Sequence, residues 1–340
     1  MLKIKRNLKA ATIVAASTVA MASTAVSADM MSRSFCIFDP IGANGPLYSV
    51  MKSAKPAAMK WGVDLELRAY TDEKIAAEDF KAGQCDQVLL TGTRAREFNN
   101  FTGSLEALGA IPGDQEMKMV LETLNTPQAQ SLLINGNYEV SGILPAGAIY
   151  LFLRDRTVDS VEELQGKKVA TLDYDKASVT MVRHVGASVV GASSANFAGK
   201  FNNGSVDAAY APAVAYTPLE LYKGVQPAGG VFDYKLGQMN FQIIIQKDKF
   251  PEGYGQKSRE YSASRYNEAY DIVAKAEAEI TPEVWIRPKP EDAEGYDKLL
   301  REVRISLRDE GVYDAKALKL MRKVRCKTDP QNAECADSRE

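Results

Sequence analysis

The side chains able to do chemistry fall in a few short stretches. Residues 39–45 read Asp-Pro-Ile-Gly-Ala-Asn-Gly. Asp39, Asn44 and the free N–H groups of the helix start that follows could hold an anionic or polar group. The same two side chains would serve equally well as plain helix caps. Residues 91–96 read Thr-Gly-Thr-Arg-Ala-Arg. There Thr93 offers a hydroxyl, and Arg94 offers a fork that matches a carboxylate, or is simply a surface arginine. Residues 173–175, Asp-Tyr-Asp, put the Asp173 carboxylate beside the Tyr174 ring. One carboxylate could bind a cation, but two alone are a poor metal site. Tyr210 and Tyr216 could stack on an organic ligand, and one of Asn240 and Gln242 could hydrogen-bond it. This is the chemistry of recognition. A hydrolytic triad could be built only through His184, the single histidine, and no nucleophile elbow accompanies it. The spacing of the four cysteines suits no zinc site, and nothing calls for a cofactor.

The elements that must carry these residues alternate. Residues 34–39, 63–70 and 86–90 read as strands, and 45–61 and 72–81 as the helices between them. Strand–helix–strand alternation implies a parallel sheet with right-handed crossovers. Helices follow at 115–125 and 127–134, and Asn135-Gly136 fits a hairpin turn or a helix end equally well. The apolar run 143–153, interrupted by Pro145 and Gly147, reads as a strand that leaves this unit. A second alternation occupies 160–223: helices at 160–164, 178–186, 196–203 and 218–223, strands at 168–172, 187–191 and 208–210. Ser160 and Glu163 have capping-box spacing. The strand 240–246 then returns the chain, and helices at 255–279, 294–310 and 314–325 close it.

The architecture predicted is α/β in two lobes. Residues 29–150 with 241–340 form lobe I, including the helical ending, and 151–240 form lobe II. Two crossings leave a hinged cleft, and the loops at strand carboxyl ends face it.

The ends and the charge set the compartment. Lys3, Lys5, Arg6 and Lys9 precede an uncharged apolar run of 13 residues, 10–22. That run is short of the roughly 20 needed to cross a bilayer. Val26-Ser27-Ala28 offers the small residues that signal peptidase reads, so residues 1–28 form an expected export signal cut after Ala28. Its loss takes the formal charge from −2 to −6, the wrong sign for a nucleic-acid binder. No later run is long and apolar enough to span a membrane. Export to an oxidising compartment favours disulfides. Of three possible pairings, Cys36–Cys85 with Cys326–Cys335 is preferred, because a first strand lying between the second and third brings Cys36 next to Cys85.

Three segments carry a family resemblance. Residues 159–169 (DSVEELQGKKV), 186–190 (GASVV) and 197–207 (FAGKFNNGSVD) resemble TRAP-type periplasmic solute-binding proteins, and Phe241–Ile245 followed by Lys247 fits their next strand. Within that superfamily the chain is similar to the AdeT-like group, some members of which carry an efflux label. The resemblance implies a type II periplasmic-binding-protein fold, a small-molecule solute and a TRAP-type membrane transporter as partner. It also exposes two departures. Ala170 stands where carboxylate binders of this kind carry an arginine, and Ala211 where they often carry asparagine.

The reading favoured is therefore a periplasmic clamp that binds a small solute for a membrane partner and does no chemistry. An accessory role in efflux or envelope stress, and an exported enzyme on a binding-protein scaffold, are the alternatives.

Overall fold

The computed structural model describes residues 30–337 and 339–340; the segment read as a signal, 1–28, and its cut lie outside the described residues. Among the described residues ten strands share one sheet: β1 (Met31–Phe38), β2 (Val63–Tyr70), β3 (Gln87–Thr91), β4 (Ile134–Asn135), β5 (Tyr138–Leu153), β6 (Lys168–Leu172), β7 (Ser188–Ala192), β8 (Ala208–Pro212), β9 (Gly230–Gln246) and β10 (Trp285–Ile286). Their order is β2-β1-β3-β9-β5-β8-β6-β7, with β4 on β5 and β10 on β9. β1 runs parallel to both β2 and β3, as the crossover helices Pro46–Lys60 and Glu73–Lys81 require. β6 is likewise parallel to β7 and β8.

β5 and β9 join the two lobes. They contain 16 and 17 residues, so each extends about 50 Å. The start of β5 and the end of β9 lie with β3, while the end of β5 lies against β8. Between these ends the ladder shifts register at Pro145/Gly147 and Ile149/Leu151. Proline donates no hydrogen bond, so it is tolerated mid-sheet at such a bulge. Gly147 has φ +87°, and a Cβ there would fall 2.5 Å from Val273 Cγ1. The two lobes therefore meet at a built irregularity.

Each half-sheet buries its own apolar faces. Phe35, Leu89, Phe98, Ile244 and Leu307 belong to one cluster. Phe152, Phe201 and Val231 form a second, and Leu153, Phe232 and Tyr296 a third. The helical ending packs on both sides of the divide. Tyr266, which opens the Tyr266–Glu279 helix, lies in the first cluster, and Ile280 beyond its end in the second. On the Ala293–Asp309 helix Tyr296 and Leu307 do the same for the third and first.

Cys36 and Cys85 are bonded with Cα atoms 5.9 Å apart, and Cys326 and Cys335 with theirs 5.6 Å apart. β1 does lie between β2 and β3, which is what brings the first pair together.

Several expected elements differ. The return strand begins at Gly230, ten residues before 240, because Val231 and Phe232 already bury against the second lobe. The expected long helix 255–279 breaks at Arg265 into Tyr254–Ser264 and Tyr266–Glu279. The 218–223 helix is a single turn at Tyr222–Val225. Glu163 accepts the Asp159 N–H, not that of Ser160, so the capping box does not form. The chain does make a hairpin at Asn135-Gly136, but one residue on: Asn135 pairs with Tyr138, and Gly136, at φ +59°, and Asn137 form the turn joining β4 to β5.

Candidate functional site

A cavity of about 510 Å³ lies between the lobes, within the range of pockets that enclose small ligands. Its walls come from the carboxyl ends of β1, β3, β6 and β8, from the middle of β5 and β9, and from the Tyr266–Glu279 helix. Open α/β sheets offer ligand sites at these strand ends. Most of the wall is apolar, including Phe38, Leu144, Ile149, Phe197, Met239 and Phe241.

Four of the predicted residues line it: Asp39, Thr93, Tyr174 and Tyr210. Asp39 is fully buried, and its carboxylate accepts the Ile41 and Tyr48 N–H groups, both at 2.9 Å. It therefore caps the Pro46–Lys60 helix itself, and that helix start is not free for an anion. The Tyr210 hydroxyl accepts the Leu172 N–H at 3.2 Å and lies 2.6 Å from Ser178 Oγ.

The other six predicted residues lie elsewhere. Asn44 and Asp173 are exposed and outside the wall; the acid of that loop in the wall is Asp175, the cap of the Lys176–His184 helix. Arg94 is buried behind the wall, its guanidinium carbon 3.4 Å from the centre of the Tyr174 ring. Tyr216 stacks on Phe152 in the lobe II core. Asn240 and Gln242 face away from the cavity; strand alternation points Met239 and Phe241 into it instead. Asn240 and Gln242 are bonded to one another beneath the sheet, and Gln242 also donates to Thr102 O.

Sequence reasoning missed two buried carboxylates. Glu73 opens the Glu73–Lys81 helix and is fully buried. It accepts the Thr91 N–H at 2.6 Å and the hydroxyl of Tyr174, which comes from the opposite lobe. Its own N–H donates to Ser194 Oγ at 3.2 Å, also across the cleft. Glu73, Tyr174, Ser194 and the stacked Arg94 thus form a clasp between the lobes. Removing the hydroxyl in Tyr174→Phe leaves a buried acceptor short of one donor. We expect a loss of about 1–3 kcal/mol in unfolding free energy, which urea titration would register. An unchanged midpoint would contradict the clasp.

Glu106 is the second. It is 6 % exposed and accepts Gly92 N–H at 3.1 Å, Asn240 N–H at 2.8 Å and Thr93 Oγ1–H at 2.5 Å. A Cβ at Gly92 would lie 2.7 Å from Glu106 Oε1, so a larger residue there would displace this carboxylate. The signal available was its setting, a lone acid in the apolar run Leu105-Glu106-Ala107-Leu108.

Burial raises both carboxyls, Glu73 against its hydrogen bonds and Glu106 up to about 7. A carboxyl raised on folding stabilises fully below its unfolded value of 4.5 and loses that contribution as pH climbs through its folded value. The solute-free protein should therefore lose melting temperature between about pH 5 and pH 8, and Glu106→Gln should flatten part of that fall. A profile identical in both proteins would contradict the placement of Glu106.

Sequence comparison agrees with this geometry. The profile of the family described as "Solute-binding protein AdeT 1/2" matches residues 49–340. The chain is 41 % identical over 300 residues to the probable solute-binding protein AdeT1 of Acinetobacter baumannii, covering 88 % of this chain and 99 % of that one. It is 27 % identical over 237 residues to the probable solute-binding protein AdeT2 of the same organism, covering 70 % of this chain and all of the other. Among solved structures, a TRAP periplasmic solute-binding protein from Desulfovibrio salexigens with bound orotic acid superposes with a TM-score of 0.73 at 11 % identity, covering 87 % of this chain and 99 % of that chain. One from Shewanella oneidensis with bound succinate gives 0.69 at 9 % identity, over 86 % and 99 %. The two-lobed fold is thus that of the TRAP periplasmic binding proteins, and the chain belongs to the AdeT 1/2 family of solute-binding proteins.

Proposed function

We propose that this protein binds a small organic solute in the inter-lobe cavity and presents it to a membrane transporter without altering it. The observation that carries the reading is the cavity of about 510 Å³, walled by both lobes at the strand ends. Structural neighbours crystallised with orotic acid and succinate support it. So does the family to which the chain belongs.

Binding would work by hinge closure. Solute contacts both walls only when the lobes are together, so it shifts an open–closed equilibrium toward the closed form. The Glu73–Tyr174 clasp would form on the same motion. Lobe I would be 29–150 with 241–340, and lobe II 151–240. Thr93, Tyr174, Tyr210 and Glu106 are the side chains assigned to the solute. The place of action would be the periplasm, after cleavage at Ala28, and the partner a TRAP-type membrane subunit.

A thermal-shift screen of the mature chain against small organic solutes tests the reading. At least one solute should raise the melting temperature with saturation. A broad screen with no saturating response would count against solute binding.

A further inference from the structure

We propose that the solute is a hydrophobic organic cation, whose protonated nitrogen sits at a polar belt of Glu106, Asp175, Thr93 and Tyr210. This deepens the reading of the cavity as a solute site and rests on it. Three observations carry it.

The first is the balance of charge. Among the described residues, two basic side chains line the main cavity, Arg265 and Lys275. Lys275 is exposed, and Arg265 is half-exposed and paired with Glu268. Of the six acids in that wall, Glu268 and Glu279 are exposed and the other four are buried. Asp39 is committed to its helix cap and Glu73 to the clasp. Asp175 faces Arg96 at 3.8 Å. Glu106 lines the cavity and, among the described residues, makes no ion pair of its own; the basic charge that acts on it is that of Arg96, already facing Asp175. One arginine thus serves two buried carboxylates, which leaves the belt short of one positive charge that a cationic solute would supply. A solute carboxylate would instead stand beside Glu106 and Asp175, at the expense of like-charge repulsion.

The second is the shape of the belt. Glu106, Thr93, Asp175 and Tyr210 line both the main cavity and a side cavity of about 130 Å³. Arg96 also lines the side cavity at the belt, and most of the remaining wall is apolar, with groups such as Leu151, Val169, Met181 and Phe232. The polar groups thus form a waist between two apolar chambers, which suits a charged nitrogen carrying apolar substituents.

The third is acceptor chemistry. Glu106 accepts three hydrogen bonds from protein donors, and a carboxylate has room for a fourth. An ammonium can only donate, and so fits it.

Three probes with one framework decide the matter: phenylbutylamine, phenylbutanol and phenylbutanoate, titrated calorimetrically into the mature chain at about pH 8, where Glu106 is ionised and the amine still charged. The amine should bind at least about ten-fold tighter than either of the others. In Glu106→Gln the amine's affinity should fall to that of the alcohol. If phenylbutanoate or phenylbutanol matches the amine, the cationic class is wrong and solute binding stands. An amine preference that survives Glu106→Gln overturns the belt. If none of the three binds, the proposal fails; native mass spectrometry then separates the two readings, since a co-purified molecule leaves solute binding intact. Should Glu106→Gln fail to fold, the ranking in the natural protein decides alone.

Discussion

Replacing Cys36 and Cys85 together by alanine is expected to lower the unfolding free energy by about 4 kcal/mol, the cost that chain entropy assigns to opening a loop of this length. The bond closes 49 residues, and both cysteines are fully buried. The closed loop contains β2 and both crossover helices, Pro46–Lys60 and Glu73–Lys81, so the bond ties the first strand to the third across everything between. The Cys326–Cys335 bond closes only 9 residues, and the same reasoning gives it about 3 kcal/mol. It holds the segment carrying Glu334, which pairs with Arg304 at 2.9 Å and Arg325 at 2.7 Å. Urea unfolding of the two double variants in oxidising buffer checks the ranking. A loss below about 1 kcal/mol for the Cys36–Cys85 pair would contradict it.

Ala211→Trp should abolish solute binding. Ala211 lies on β8 and lines the cavity. An indole at that position would stand in the space of about 510 Å³ assigned to the solute. Ala211 is 3 % exposed and packs in the second apolar cluster, so overpacking is expected to cost about 1–3 kcal/mol of stability as well. The melting temperature without solute should therefore fall while the chain still folds, and affinity should fall at least about 100-fold, a loss of about 2.7 kcal/mol or more. Calorimetric titration of a solute from the thermal-shift screen gives the number. Undiminished affinity would place the solute outside the cavity.

How far the sequence could be read depended on what each feature rests on. The first strands and helices were legible because local rules agree there: period-two alternation at 63–70, an Asp72 cap whose carboxylate accepts the Lys74 N–H, and a left-handed Gly83 after the helix. The disulfide followed from strand order. The return strand was half-legible. Asn240–Gln246 is a strong apolar run, whereas Asp233, Tyr234 and Lys235 break the pattern as the chain bulges out between Phe232 and Gly237. The split at Arg265 was invisible, since no proline or glycine marks it.

The site was less legible than the fold. Loops at strand ends located the cavity, and Thr93, Tyr174 and Tyr210 lie in its wall. Side-chain direction was the harder part. Asn240 and Gln242 are one residue out of phase with the wall, and a strand's face is set by its register with neighbours that its own sequence does not reveal. Glu73 and Glu106 do not stand out in the sequence, where acids usually belong to the surface; what buries them is the meeting of segments distant in sequence, Glu73 with Tyr174 and Glu106 with Asn240.

The central claim is that the inter-lobe cavity holds a small solute. Native mass spectrometry of the protein, purified without refolding from the periplasm of its own cells, tests it most directly. The account predicts a species heavier than the bare chain by one small molecule, absent from the Ala211→Trp variant prepared in the same way. A bare chain in both preparations, with no solute restoring a mass shift to the natural protein, would contradict it.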